Sequence, residues 1–167
     1  MRSNSTMARS TPNDNIIQLV GFSVGAELFG TDILSVREIL RQPPVEPLKR
    51  GPDFIEGITR VRGAAIPVID LAAYIGKNAS RRDKSRHWVL VTQVQETLIG
   101  FIVDAVTRIL KINTDMIMPA PELILSGLRN QYMRGVCDTE KGLLMVLELD
   151  RLLVDEEVRT IRDLKLK

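Results

Sequence analysis

Apolar and polar residues alternate with a period of two along most of this chain, and the alternation breaks at glycines and prolines. That pattern predicts short strands joined by tight turns. In 16–24, Val20, Phe22 and Val24 share a face, and Gly25-Ala26 turns the chain into a return strand over 27–31. The stretch 32–40 fits a helical stripe through Ile33, Val36 and Leu40. Its β-branched residues equally allow one tight turn followed by a strand over 36–41, and the strands on either side favour that reading. Pro43, Pro44 and Pro47 then prevent regular pairing, and Gly51-Pro52-Asp53 marks a further turn.

The next hairpin is the centre of interest. Residues 57–62 read as a strand with Ile58, Arg60 and Arg62 on one face and Thr59 and Val61 on the other. Gly63-Ala64 is the expected turn, and 65–69 the return strand. Asp70 is placed to accept amide hydrogen bonds as the N-cap of a short helix over 71–75, stopped by Gly76. Strands over 87–94 and 97–103 flank a Gln95-Glu96 turn. A last hairpin pairs 131–138 with 143–149, with Gly142 in the left-handed position of its turn. Asp150 is expected to cap a terminal helix over about 151–164, whose Val154, Val158 and Ile161 lie on one face.

The two halves repeat. Shifted by 70, Leu28, Phe29, Gly30, Ile33, Val36, Ile39 and Leu40 meet Leu98, Ile99, Gly100, Val103, Val106, Ile109 and Leu110. Shifted by 78, Gly57, Ile58, Val68, Ile69 and Leu71 meet Gly135, Val136, Val146, Leu147 and Leu149. Duplication of a unit of about five short strands predicts two small closed barrels, since closure removes exposed sheet edges. The expected division is a mobile tail over 1–15 and a folded region over 16–160. Its first barrel lies mostly in 16–80, its second mostly in 87–149, and the terminal helix follows.

Composition narrows the classes. The chain has 167 residues, 44% of them hydrophobic, which is enough to bury a substantial core. Its 23 basic and 21 acidic residues give a net charge of +2, so a polyanionic partner is not demanded. A single cysteine, Cys137, rules out an intrachain disulfide and suits a reducing compartment. No run approaches the roughly 18 apolar residues of a membrane-spanning helix, and 1–15 lacks the apolar stretch of a signal peptide. The expectation is a cytoplasmic protein without membrane insertion.

Catalytic chemistry is hard to assemble from these residues. His87 is the one histidine and follows a basic loop, where it reads as an edge or surface residue. One Cys and one His leave no recognisable metal set, and no Gly-rich phosphate loop is present. No catalytic residue, metal or cofactor is expected. The basic stretch 77–86 carries Lys77, Arg81, Arg82, Lys84 and Arg86 and reads as an exposed connector between halves. A small-barrel nucleic-acid binder would use it together with aromatic platforms, but only Tyr74 and Trp88 flank it. Arg60 and Arg62 leave two readings open. Either they are half-buried and bond carbonyls of a neighbouring turn, or the seam between the two barrels forms an apolar groove with Arg62 at its edge to fix a partner.

Four blocks resemble those of CheW, the bacterial chemotaxis coupling family. They are 28–39 (beginning Leu28-Phe29-Gly30-Thr31-Asp32-Ile33), 54–71, 118–122 (Met118-Pro119-Ala120-Pro121-Glu122) and 142–153, in the family's order and spacing. The resemblance spans about 16–154. It departs at Arg60-Val61-Arg62-Gly63, where the family usually has Asn-Leu-Arg-Gly. It implies a non-enzymatic adaptor of two intertwined five-stranded SH3-like barrels, cytoplasmic and associated with membrane chemoreceptor arrays. Its implied partners are the chemoreceptor cytoplasmic tip and the regulatory domain of the histidine kinase CheA. On matched positions, Val36, Gly57, Arg62, Gly100, Val106 and Ile109 would face the receptor, and Glu38 and Leu40 the kinase. The same fold serving pilus-based motility or another chemosensory-like cascade is the alternative within this class.

Overall fold

The computed structural model describes residues 15–76, 86–119 and 133–164. The tail expected over 1–15 therefore lies, but for Asn15, outside the described residues, as does the basic connector except Arg86. Ten strands among the described residues carry the fold. The first half contributes β1 (Ile16–Val24), β2 (Glu27–Asp32), one 3-10 turn (Ile33–Ser35), β3 (Val36–Arg41), β4 (Ile55–Val61), β5 (Ala64–Asp70) and helix α1 (Leu71–Tyr74). The second contributes β6 (Trp88–Val94), β7 (Thr97–Val103), β8 (Ala105–Asn113), a 3-10 turn (Thr114–Met116), β9 (Met133–Thr139) and β10 (Gly142–Leu147). A 3-10 turn (Leu149–Arg151) and helix α2 (Asp155–Arg162) end the described chain. The ambiguous stretch 32–41 resolves as a turn and then a strand. Asp32 fixes that turn by accepting from the Leu34 amide at 2.9 Å, which leaves β3 free to extend.

The strands form two five-stranded sheets, one ordered β9-β10-β2-β1-β8 and the other β3-β6-β7-β5-β4. Each is a small SH3-like barrel unit, and each mixes the two halves. The first barrel joins the 16–32 hairpin to three strands of the second half. The second barrel joins the 88–103 hairpin to three strands of the first. The division expected from sequence, 16–80 for one barrel and 87–149 for the other, is therefore not how the sheets are composed. Hairpins pair locally, but the parallel β2–β10 and β5–β7 pairings are long-range and fix which hairpin joins which barrel. The repeat is visible in the registers: Gly30 sits opposite Val146, and Gly100 opposite Val68. A bulge recurs at matched places, between Val36 and Glu38 on β3 and against Val20–Phe22 beside β8.

Among the described residues three clusters make the core. Leu19, Ile112, Cys137, Leu144 and Val146 fill the first barrel, and Ile66, Val68, Val89, Val91 and Ile102 fill the second. A larger cluster lies between them, with Phe22 stacked on Phe29 at 5.7 Å and joined by Leu90, Ile69 and Phe101. Along β6, Val89 and Val91 serve the barrel while Leu90 and Val94 serve the shared core. A strand buried on both faces reads as a continuous apolar run, which is the run Val89-Leu90-Val91.

The terminal helix closes the shared core with Val158 and Ile161, both buried. Asp150 does not cap it. That residue lies in the 3-10 turn, and the helix begins at Asp155, where Glu157 accepts from the Val154 amide at 3.0 Å. The burial of Leu149, Leu152 and Leu153 explains the delay, because those side chains reach the core only if the chain turns once before the helix starts.

Candidate functional site: the barrel mouths

The β4–β5 turn is made of Arg62 and Gly63, one residue earlier than the sequence suggested. Val61 pairs with Ala64, leaving a two-residue loop with both φ angles positive, 53° at Arg62 and 85° at Gly63. That is the loop whose twist matches a hairpin, and it prefers Asn-Gly. An arginine in the left-handed region costs about 1 kcal/mol or more relative to glycine, so its presence needs a reason outside backbone preference. On β4, Gly57 and Thr59 are buried while Arg60 is exposed on the face of Ile58.

The reason is visible across the groove. Arg62 Nη2 lies 2.7 Å from Glu38 Oε1, with the arginine side chain 84% exposed and the glutamate 24%. The two residues come from β3 and the β4–β5 turn and stand over a groove of about 520 Å³ at the mouth of the second barrel. Ile66 and Val91, members of that barrel's core, form its floor. Arg37, Gln93, Glu96 and Leu98 complete the rim, and Arg37 donates to Gln93 across it. An apolar floor under a charged rim can seat an apolar side chain of another protein while the rim selects its charge.

Of the residues expected to face the receptor, Arg62 is on this mouth. Val36 and Val106, equivalent by the repeat, are half-buried against the core between the barrels. Ile109 is 44% exposed on β8, which borders the first barrel. Gly57 and Gly100 are buried. A Cβ at Gly57 would stand 2.3 Å from the Glu46 carbonyl oxygen, because the proline-rich loop bridges onto β4 there. Its counterpart Gly135 would meet the Met118 carbonyl at 2.5 Å in the same way. At Gly100 a Cβ would strike Val89 at 2.6 Å. Neither Gly57 nor Gly100 offers a contact surface in the folded chain; their room is taken from within. Of the residues expected to face the kinase, Glu38 is bound to Arg62, and Leu40 is half-buried on the second barrel's core. Glu38 and Arg62, given to different partners from sequence, thus form one feature.

Sequence reasoning overlooked the rim residues Arg37, Gln93, Glu96 and Leu98, which meet only after the hairpins exchange. It also overlooked the opposite mouth. A groove of about 480 Å³ opens on the first barrel, floored by Leu28, Leu110, Ile112 and Leu144 and rimmed by Arg108, Lys111, Glu140 and Lys141. The repeat shifts, applied to the charged residues and not only to the apolar ones, were the available signal. Cys137 lies beneath this groove, and burial together with the Asp138 charge pushes its thiol up from the ordinary 9.0.

The fold and its grooves define a protein whose working parts are surfaces: two barrels with exchanged strands, each open at an apolar, charge-rimmed mouth. Comparison with known proteins agrees. A family model described as the CheW-like domain matches residues 18–157. The probable chemotaxis protein CheW of Rhizobium etli is 36% identical over 140 residues, covering 84% of this chain and 89% of that protein. The chemotaxis protein CheW of Klebsiella aerogenes is 31% identical, covering 84% of this chain and 83% of that protein. The crystal structure of the scaffolding protein TtCheW from Thermoanaerobacter tengcongensis superposes with a TM-score of 0.70 at 29% identity, covering 80% of this chain and 89% of that one. The chain belongs to the CheW-like family, a family of chemotaxis scaffold proteins.

Proposed function

We propose that this protein is a non-catalytic adaptor that couples the cytoplasmic tips of chemoreceptors to the regulatory domain of the histidine kinase CheA. It would work at the cytoplasmic face of receptor arrays and need no cofactor. The observation that carries this reading is the Glu38–Arg62 pair over an apolar groove. The pair joins the left-handed Arg62 turn to β3, so a basic and an acidic group stand together at the rim of the groove. Glu38 and Leu40 on β3 would address the kinase. Val36, Arg62, Val106 and Ile109 would address the receptor along the border of the shared core, with Gly57 and Gly100 supporting that surface from beneath. Contacts of this size are individually weak and become effective when arrayed receptors raise the local concentration.

Titration of the purified protein with the CheA regulatory domain, and separately with a receptor cytoplasmic fragment, tests the proposal. Binding to both is expected. Glu38→Arg should weaken the kinase contact by ~1–3 kcal/mol. Failure of the unaltered protein to bind either partner at ~100 µM, roughly −5.5 kcal/mol, would sink the reading.

A further inference from the structure

The hairpin turn after β6 is built differently from its counterpart in the repeat. Val24 pairs with Glu27 and Val94 with Thr97, so Gly25-Ala26 and Gln95-Glu96 are equivalent two-residue turns. Both begin in the left-handed region, with φ of 62° at Gly25 and 56° at Gln95. Glycine takes that conformation freely, whereas a glutamine carries a backbone penalty there. The glutamine side chain supplies the compensation. Its amide nitrogen donates to Asp155 Oδ1 at 3.0 Å, and its Oε1 accepts from Arg162 Nη2 at 3.1 Å. Asp155 and Arg162 are the first and last residues of α2, so one side chain holds both ends of that helix. A helix of eight residues is not stable by itself, and depends on such contacts and on the burial of Val158 and Ile161.

Gln95 is also the inner end of a polar chain that reaches the mouth of the second barrel. Its backbone carbonyl accepts from Gln93 Nε2 at 3.3 Å, and Gln93 Oε1 accepts from Arg37. Arg37 and Gln93 line the mouth beside Glu38 and Arg62. With Gln95 and Asp150 they also line a second cavity of about 300 Å³. The Arg37–Gln93 pair is thus common to both cavities.

We propose that helix α2 and the mouth of the second barrel are coupled through Gln95, Gln93 and Arg37, with Gln95 as the positioning residue. With α2 docked, Gln95 is fixed, Gln93 keeps its acceptor, and Arg37 is held along the rim. When α2 opens, Gln95 loses both side-chain bonds while still bearing its backbone penalty, and the chain from it to Arg37 slackens. A short helix held by few contacts is an element that opens at low cost. The coupling is reciprocal: an occupant whose carboxylate draws Arg37 off Gln93 raises the population with α2 open. It is internal to the chain and holds whichever protein occupies the mouth.

Amide hydrogen exchange of the full chain, followed residue by residue, reads the opening of α2 at Val158 and Ile161 and of the whole fold at Phe22 and Phe101. Gln95→Gly suits the turn's backbone and removes the side chain that clamps the helix. It should quicken exchange in α2 about fivefold or more and leave Phe22 and Phe101 at the parent rate. Arg37→Ala removes a side chain that bonds Gln93 and not the helix. It should still quicken exchange in α2 about two- to tenfold, the range for one hydrogen bond. Arg108→Ala, on the mouth of the other barrel, should leave α2 unchanged. The Arg37→Ala, Gln95→Gly double variant should exchange no faster than Gln95→Gly alone, since both act through one chain. Four results would each overturn the proposal: α2 at the parent rate in Arg37→Ala, an equal effect of Arg108→Ala, effects that multiply in the double variant, or Phe22 and Phe101 quickened by the same factor as α2.

Discussion

The Arg62 guanidinium reaches the Glu38 carboxylate at 2.7 Å from a turn residue with a φ of 53°. A surface pair with one partner 84% exposed contributes ~0–1 kcal/mol to folding, about what a left-handed arginine costs. Arg62→Gly is therefore expected to leave stability within about 1 kcal/mol of the parent in urea denaturation, since relief of the backbone offsets loss of the pair. A loss of several kcal/mol would show the arginine to be structural.

Gly57 and Gly135 are expected to behave alike, and very differently from Arg62. Each faces a backbone carbonyl that a flexible side chain cannot move aside. Gly57→Ala and Gly135→Ala should each cost ~1–3 kcal/mol or more, seen as a lowered thermal midpoint. Loss of partner binding in a Gly57 variant is then to be judged only beside its melting curve. A Gly57→Ala protein that melts with the parent would show that the 43–48 loop lifts off β4 freely.

Most of the strands were legible because each depends on its own alternation and turn chemistry. The turn and strand over 32–41 followed from β-branched residues behind Asp32. What was not legible is long-range. Nothing local to 16–32 says that this hairpin adds to strands of the second half, so the barrels were divided along the chain. Glu38 and Arg62 were recognised singly but assigned to separate partners, because their contact exists only once β3 and the β4–β5 turn meet at one mouth. Asp150 was misread as a helix cap because an acidic residue before an amphipathic run looks the same whether or not a buried 3-10 turn intervenes.

Tyr74 ties helix α1 to helix α2. Its hydroxyl donates to Glu157 Oε1 at 2.6 Å, and that carboxylate also holds the Val154 amide at the start of α2. Tyr74→Phe should destabilise by ~1.5–3 kcal/mol, as for a hydrogen bond to a charged group. Amide hydrogen exchange should quicken first at Val158 and Ile161. Unchanged exchange in α2 would mean that apolar packing alone holds the helix.

Cys137 supplies a pH dependence with a definite sign. Burial and the Asp138 charge raise its folded pKa above 9.0, so above that pH the unfolded chain releases a proton that the folded chain keeps. The unfolded state then binds fewer protons, and this group's contribution to stability falls as pH rises through 9.0 and beyond. Alkylation of the native protein at pH 8 should be slow and should accelerate sharply in denaturant. Alkylation at the free-thiol rate in the folded protein would contradict the burial.

We propose that this chain holds receptor and kinase together, and kinase activity in a reconstituted mixture tests it. With receptor fragments on vesicles and CheA at fixed concentrations, autophosphorylation is expected to rise several-fold when this protein is added. Glu38→Arg should abolish the rise at concentrations where the folded variant is intact. Kinase activity that is the same with and without the protein, while receptor and kinase are each shown to be competent, would rule out the coupling role.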